Sequence, residues 1–301
     1  NESGCLPRSK ETVLVQQTRG RKVEKTMKPP PFDYHRAQTQ DEAVNILMEH
    51  GSDVRVMAGG QSLMAMLNMR LTQPKILLDI SGIPDLNYQT ESSNYLSFGA
   101  GVTQAQALNN ARVVNEVPLL GQALPYVGHM QTRNRGTICG SICHADPSSE
   151  IPLVLATLGG EIVVRSETGQ RVIPIQDFQI GLMTSARRPD ELVVSARFPV
   201  ARPEQRFSFT EIARRHGDFA IVAIASCCDG KTTRIGVGGV ADTPAVREWP
   251  RLEPDQIDDA LNELAWDLGG YDDIHASARY RRELIRKLGR DQIERIQNDQ
   301  D

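Results

Sequence analysis

The stretch TICGSICHADPSSEIP, Thr137 to Pro152, gathers Cys139, Cys143, His144, Asp146 and Glu150 within twelve residues. It admits three readings: a metal site, a nucleophile with its base, or a turn of small residues that grips an anion. Structural zinc needs a closed set of four ligands, usually with a second spaced pair. The remaining cysteines are Cys5 and the adjacent Cys227 and Cys228, which supply no such pair. Four spaced thiolates for an iron–sulfur cluster are missing too, so no metal ligands are expected. Cys143 and His144 are chain neighbours, a spacing that points their side chains apart. In the third reading Gly136, Thr137, Gly140 and Ser141 let backbone N–H groups approach an anion closely. Cys139 and Cys143 are then small apolar fillers.

A similar turn lies upstream. Ala58-Gly59-Gly60-Gln61-Ser62 sits between the strand pattern DVRVM and the helix pattern SLMAMLNMRL. A helix start that follows a glycine turn favours anions. Two such turns, each at the end of an element, fit a ligand with two phosphates. Neither G-x-G-x-x-G nor G-x-x-x-x-G-K-[ST] is present, which disfavours the Rossmann and P-loop readings.

Outward from these turns, helix and strand patterns mix without strict βαβ order. Thr39-Gln40-Asp41-Glu42 is a capping box opening a helix that carries Ala43, Val44, Leu47 and Met48 and stops at Gly51. KILLDI and YLSFGAGV read as strands. Thr103 to Gln106 is a second capping box, opening a helix to about Val113. VPLLGQALPYVG and IPLVLATLGG read as helices, EIVVRSETGQRVIPI as a hairpin and ELVVSARFP as a strand. Pro199 to Arg206 is a boundary. Beyond it come a strand–turn–strand in DFAIVAIASCCDGKTTRIGVGGV and two amphipathic helices. The expectation is an α+β protein in three lobes. In the second of those helices Leu284, Ile285 and Leu288 share a face with Ile296, to pack on its own domain or to dock on another subunit.

Composition narrows the function. Lysine and arginine number 34 against 38 acids, a net charge of −4, a poor footing for general nucleic-acid binding. No run approaches the length of a membrane span. The first 26 residues, polar and basic, read as a flexible extension without the apolar core of a signal peptide. Five cysteines without small-scaffold spacing suggest reduced thiols and a cytoplasmic location.

FDYHRAQTQDEAVNIL, AGGQSLMAMLNMRL, TRNRGTICGSICHADPSSEIP, GLMTSARRPDELV and RRHGDFAIVAIA follow one another in order. Together they resemble the FAD-binding medium subunit of molybdenum hydroxylases, the carbon monoxide dehydrogenase and xanthine dehydrogenase type, over about residues 30 to 295. The resemblance implies an FAD-binding domain of the vanillyl-alcohol-oxidase (PCMH) kind over residues 27–200, with lobes at about 27–80 and 81–200. A C-terminal flavoprotein domain would span residues 206–298. It implies non-covalent FAD held by a first diphosphate loop, Ala58, Gly59, Gly60, Gln61 and Ser62, flanked by Met57 and Leu63. The second loop would be Thr137, Ile138, Cys139, Gly140 and Ser141. Glu150 takes the place of an aspartate that hydrogen-bonds the flavin's sugar-like chain, and Arg187 falls where a leucine commonly lines the ring. Cys139 replaces a usual glycine and Ser141 a usual asparagine. Glu211 stands where a lysine is common, so Arg187 and Glu211 are a candidate compensating pair.

The function implied is an electron relay. A large partner subunit carries the molybdenum cofactor, a small one carries [2Fe-2S] clusters, and this chain's FAD passes the electrons to an external acceptor. No residue is assigned a proton-transfer role, and His216 and Asp218 read as structural. A stand-alone flavin oxidoreductase and a scaffold subunit that has lost its flavin are the alternatives.

Overall fold

The computed structural model describes residues 28–298. The expected extension at residues 1–26 lies outside them. Three sheets organise the described chain. The first is small and wholly parallel, built from β1 (Asp33–Arg36), β2 (Val54–Met57) and β3 (Ile76–Asp79) in the order β1-β3-β2. Its crossovers carry α1 (Gln40–His50) and α2 (Gln61–Asn68). Thr39 caps α1 through the Glu42 amide at 3.1 Å. The expected box is only half made, because the Glu42 carboxylate turns away to the Gln38 amide and to His35, both at 2.7 Å.

The second sheet is antiparallel: β4 (Gln89–Glu91), β5 (Tyr95–Gly99), β6 (Glu161–Ser166), β7 (Gly169–Pro174) and β10 (Leu192–Pro199), ordered β4-β5-β10-β6-β7. The short α9 (Ile175–Phe178) and a separate two-stranded hairpin, β8 (Gln179–Gly181) with β9 (Thr184–Ser185), precede β10. Between β5 and β6 run the helices α3 (Gln104–Leu108), α4 (Ala111–Glu116), α5 (Pro118–Ala123), α6 (Met130–Arg133), α7 (Ile138–His144) and α8 (Glu150–Leu158). The single helix expected to run to Val113 is two. Asn110 leaves helical geometry and accepts a hydrogen bond from the Arg112 amide, so it starts a new helix. The capping box of Thr103 and Gln106 is complete.

The third sheet is a meander, β11 (Arg206–Ile212), β12 (Val222–Cys228), β13 (Thr232–Gly238) and β14 (Ala245–Pro250), in chain order. It is covered on both faces. Alternation along β12 sends Ala223 and Ala225 into the core of the preceding lobes, and Val222 and Ile224 into a second core. That second core is closed by α10 (Ile257–Leu268) and α11 (Ala278–Asn298). Leu284, Ile285 and Ile293 of α11 are buried in it with Leu288 packed against it, and Ile296 is buried too, so this face packs on its own sheet. Gly289 permits the close approach, since a Cβ there would lie 2.7 Å from the Leu261 side chain.

α8 is the hub. Ile151, Leu153, Val154 and Leu155 are fully buried, as befits a helix apolar all round. It packs on α5 and α7, on β10, and on β12 and β13 of the third sheet. β13 meets it with glycines: a Cβ on Gly236 would fall 2.0 Å from Thr157 Oγ1, and one on Gly238 would fall 3.1 Å from Leu153.

Candidate functional site

The two glycine turns touch. A Cβ on Gly59 would lie 2.1 Å from the Arg135 carbonyl oxygen and 2.8 Å from the Gly136 Cα, so only glycine allows this contact. Gly60 starts α2 in the left-handed conformation, φ 71°, with no side-chain cap. The first N–H groups of α2 are therefore free to meet a ligand. In front of them opens a cavity of about 430 Å³ lined by Met57 to Gln61, Met64, Asp79, Ser81 and Arg135. Of the expected first-turn residues, Ser62 and Leu63 are not among its lining; they continue α2. Met64, Asp79, Ser81 and Arg135 are additional. Arg135 stands inside the TRNRGTICG motif, which is the signal that could have found it.

The second turn is no loop. Thr137 is the N-cap of α7, and its hydroxyl accepts the Gly140 amide at 2.9 Å. Ile138, Cys139, Gly140 and Ser141 form the first turn of that helix. The cap leaves no room beside Gly140, where a Cβ would sit 2.7 Å from Thr137 Oγ1. Cys139 points inward, 2% exposed, and its thiol donates to the Phe98 carbonyl at 3.5 Å. Burial holds the thiol pKa well above its ordinary value. Among the described residues no cluster of three or more histidines, cysteines or acids is placed to hold a metal.

From α7 the chain turns at Ala145, φ 54°, into Asp146 and then α8. Glu150 heads α8 and is buried; burial pushes its carboxyl up to about 7, with Asp146 adding to the shift and Arg133 opposing it. Glu211, near the end of β11, is pushed up to about 8 by burial and by the neighbouring Glu150. Its Oε2 is buried without a hydrogen-bond partner. Two buried acids, one heading a helix and one on a strand, thus face each other.

Arg187 does not pair with Glu211. Its guanidinium donates to the carbonyls of Arg188 at 2.9 Å and Glu191 at 2.6 Å, and its charge is felt at Cys143. Three carbonyl acceptors on its own turn outcompete a distant acid. Glu211 faces Glu150 instead, so the expected compensation is replaced by two separate environments. The Cys143 thiol is raised to about 11 by burial, with Arg187 opposing. His216 stacks on Tyr126 with centroids 6.1 Å apart, a packing role.

Residues 30–201 match the model of the FAD binding domain in molybdopterin dehydrogenase. The chain belongs to this family. It is the FAD-binding medium subunit of a molybdenum hydroxylase complex, and so an oxidoreductase subunit. A similar chain is the 6-hydroxypseudooxynicotine dehydrogenase complex subunit alpha of Paenarthrobacter nicotinovorans, 33% identical over 87% of this chain and 93% of that one. Quinoline 2-oxidoreductase from Pseudomonas putida 86 superposes with a TM-score of 0.82 at 30% identity, over 90% of this chain and 98% of the other. Carbon monoxide dehydrogenase from Hydrogenophaga pseudoflava gives 0.79 at 26%, over 89% and 98%. The medium subunit's mixed α and β architecture is that of these structures. No helix among its described residues is long and apolar enough to cross a membrane.

Proposed function

We infer that FAD lies non-covalently along the line from the first glycine turn to the Glu150–Glu211 end, in a PCMH-type domain spanning residues 27–200. The observation that carries this is the direct contact of the two turns at Gly59 and Gly136, beside a cavity large enough for part of a dinucleotide. The residues fit the group. A cradle that a Cβ would fill, free N–H groups at Gly60, and the capped start of α7 are all suited to phosphate oxygens. Met57 to Leu63 would hold one phosphate and Thr137 to Ser141 the other. Glu150 would meet a hydroxyl of the flavin's chain, and the turn carrying Arg187 would lie beside the ring.

When bound, FAD supplies the redox chemistry; the protein supplies grip, orientation and exclusion of water. α7 presents backbone donors while burying its own side chains. Glu150 and Glu211 keep a proton at the buried end in the neutral range. Residues 206–298 act as the C-terminal flavoprotein domain that closes this end.

Held by these residues, FAD would supply the redox carrier between the [2Fe-2S] clusters of a small partner subunit, fed by a large molybdenum-cofactor subunit, and an external acceptor, in the cytoplasm. Acid treatment of the purified chain tests the flavin assignment: FAD, and no FMN, is released, leaving colourless precipitate. Flavin retained in the precipitate sinks the non-covalent reading. Substrate bleaches the flavin only when all three subunits are present; bleaching of the isolated chain sinks the relay.

A further inference from the structure

The motif TRNRG carries two arginines with opposite fates. Arg133 is consumed by the fold: one of its nitrogens donates to the carbonyls of Val127 and Gly128, both at 2.9 Å. Arg135, two residues on, has a firmly held backbone and a free head. Its amide donates to the Thr132 carbonyl at 3.1 Å, the last turn of α6, and its carbonyl is wedged against Gly59. The next residue is clamped from both sides, with the Gly136 amide on Thr132 at 2.7 Å and the Gln104 amide on the Gly136 carbonyl at 2.8 Å. The Arg135 side chain is exposed, makes no hydrogen bond or ion pair in the described chain, and lines the cavity at the first turn.

Charge at this cavity needs it. Its other charged lining residue is Asp79, an acid whose oxygens are already taken by the Tyr34 hydroxyl at 2.5 Å and the Ser81 amide at 2.8 Å. The start of α2 offers about half an elementary charge. A diphosphate brings two negative charges to a place that already holds one. Among the described residues Arg135 is the only cation that lines it, and a guanidinium is built to bind two phosphate oxygens at once.

We propose that Arg135 is the diphosphate-binding cation of the medium subunit, a ligand carried by the seam between the two glycine turns. This rests on the reading that the cavity receives the cofactor's diphosphate. Its placement has a chemical consequence. Because its carbonyl touches Gly59 while its side chain faces the same cavity, engagement of the diphosphate ties the first lobe to the second through one residue.

The test uses flavin-free full-length chain, with ADP, adenosine and FAD as probes. Arg135→Gln is expected to weaken ADP and FAD by roughly ten- to hundred-fold and to leave adenosine unchanged. It should also flatten the dependence of ADP affinity on salt, and Arg135→Lys should recover part of the loss. The melting temperature of flavin-free Arg135→Gln should match the wild type, since the guanidinium has no partner to lose. Wild-type ADP affinity and salt dependence in Arg135→Gln would overturn the proposal while leaving the FAD reading intact. Failure of the wild-type chain to bind either ADP or FAD would overturn both.

Discussion

The two glycine turns present their backbone by opposite means. The first is an open corner: Gly60 at φ 71°, no side-chain cap, and a cavity of about 430 Å³ in front of it. The second is a closed one, capped by Thr137 and backed by the buried Cys139. One keeps its donors free by omitting side chains. The other holds its donors rigid by rooting them in the core. An open corner is sensitive to bulk and charge, whereas a rooted corner is sensitive to packing.

Substitutions can break that contrast. The largest effect belongs to the contact itself. Gly59→Ala forces a Cβ to within 2.1 Å of a carbonyl oxygen, and the two turns must part. A loss of about 3 kcal/mol in stability and of measurable FAD binding is expected, read by denaturant unfolding and FAD titration. Retention of FAD would show that the turns need not touch.

Gly60→Asp should follow. Asn and Asp tolerate the left-handed conformation better than other side chains, so most of the harm comes from charge. FAD affinity should drop at least about ten-fold, while Gly60→Asn keeps most of it. Equal loss in both variants would mean that sterics, and not charge, govern the open corner.

The rooted corner leads to the acidic end, where the largest upward carboxyl shifts lie. Glu150 and Glu211 are raised from 4.5 to about 7 and about 8, burial being the main cause in each. The folded chain therefore holds more protons than the unfolded one between those limits. Stability contributed by the neutral acids is complete below about pH 4.5 and is lost as pH rises through 7 and 8. Melting curves of the flavin-free chain across that window should show the decline, and Glu211→Gln should reduce it. An unchanged slope in Glu211→Gln would place the proton elsewhere.

Smaller effects remain. Thr137→Val removes the cap from the Gly140 amide and should cost about 1 kcal/mol, with FAD affinity falling in step. Cys139→Ala should cost about 1 kcal/mol of stability and leave FAD titration unchanged. A change in FAD affinity without a change in stability would mean that the thiol reaches the ligand.

Elements with a local cause were legible in the sequence. The α8 helix with its Gly159 stop, the β6–β7 hairpin and the β12–β13 pair all carry their own turn or period. Strands that depend on neighbours were not. β1 is exposed throughout, and β14 is an edge whose charges are spent on Arg234–Glu248 and Arg247–Asp267 pairs. Such charged edges hide strand character. At the site, the glycine turns were legible because a close backbone approach needs glycine. That Thr137 to Ser141 would be helix was hidden by two glycines flanking a short apolar run. Which partner Glu211 and Arg187 would meet depends on β11 and the turn after β9, whose spatial neighbours no spacing reveals.

α8 has a further consequence, for the order of events on the ribosome. Its apolar surface is shared between helices made just before it and β12 and β13, which are made later. As synthesis proceeds from the N-terminus, this helix emerges with one side finished and the other bare. Leu153 and Thr157 stay uncovered until Gly236 and Gly238 arrive. The nascent medium subunit thus carries a hydrophobic stripe through the making of β6, β7 and β10, the kind of surface that chaperones recognise and aggregation exploits. The glycines of β13 that let the finished protein close so tightly on its hub are also among the late pieces that hub must wait for.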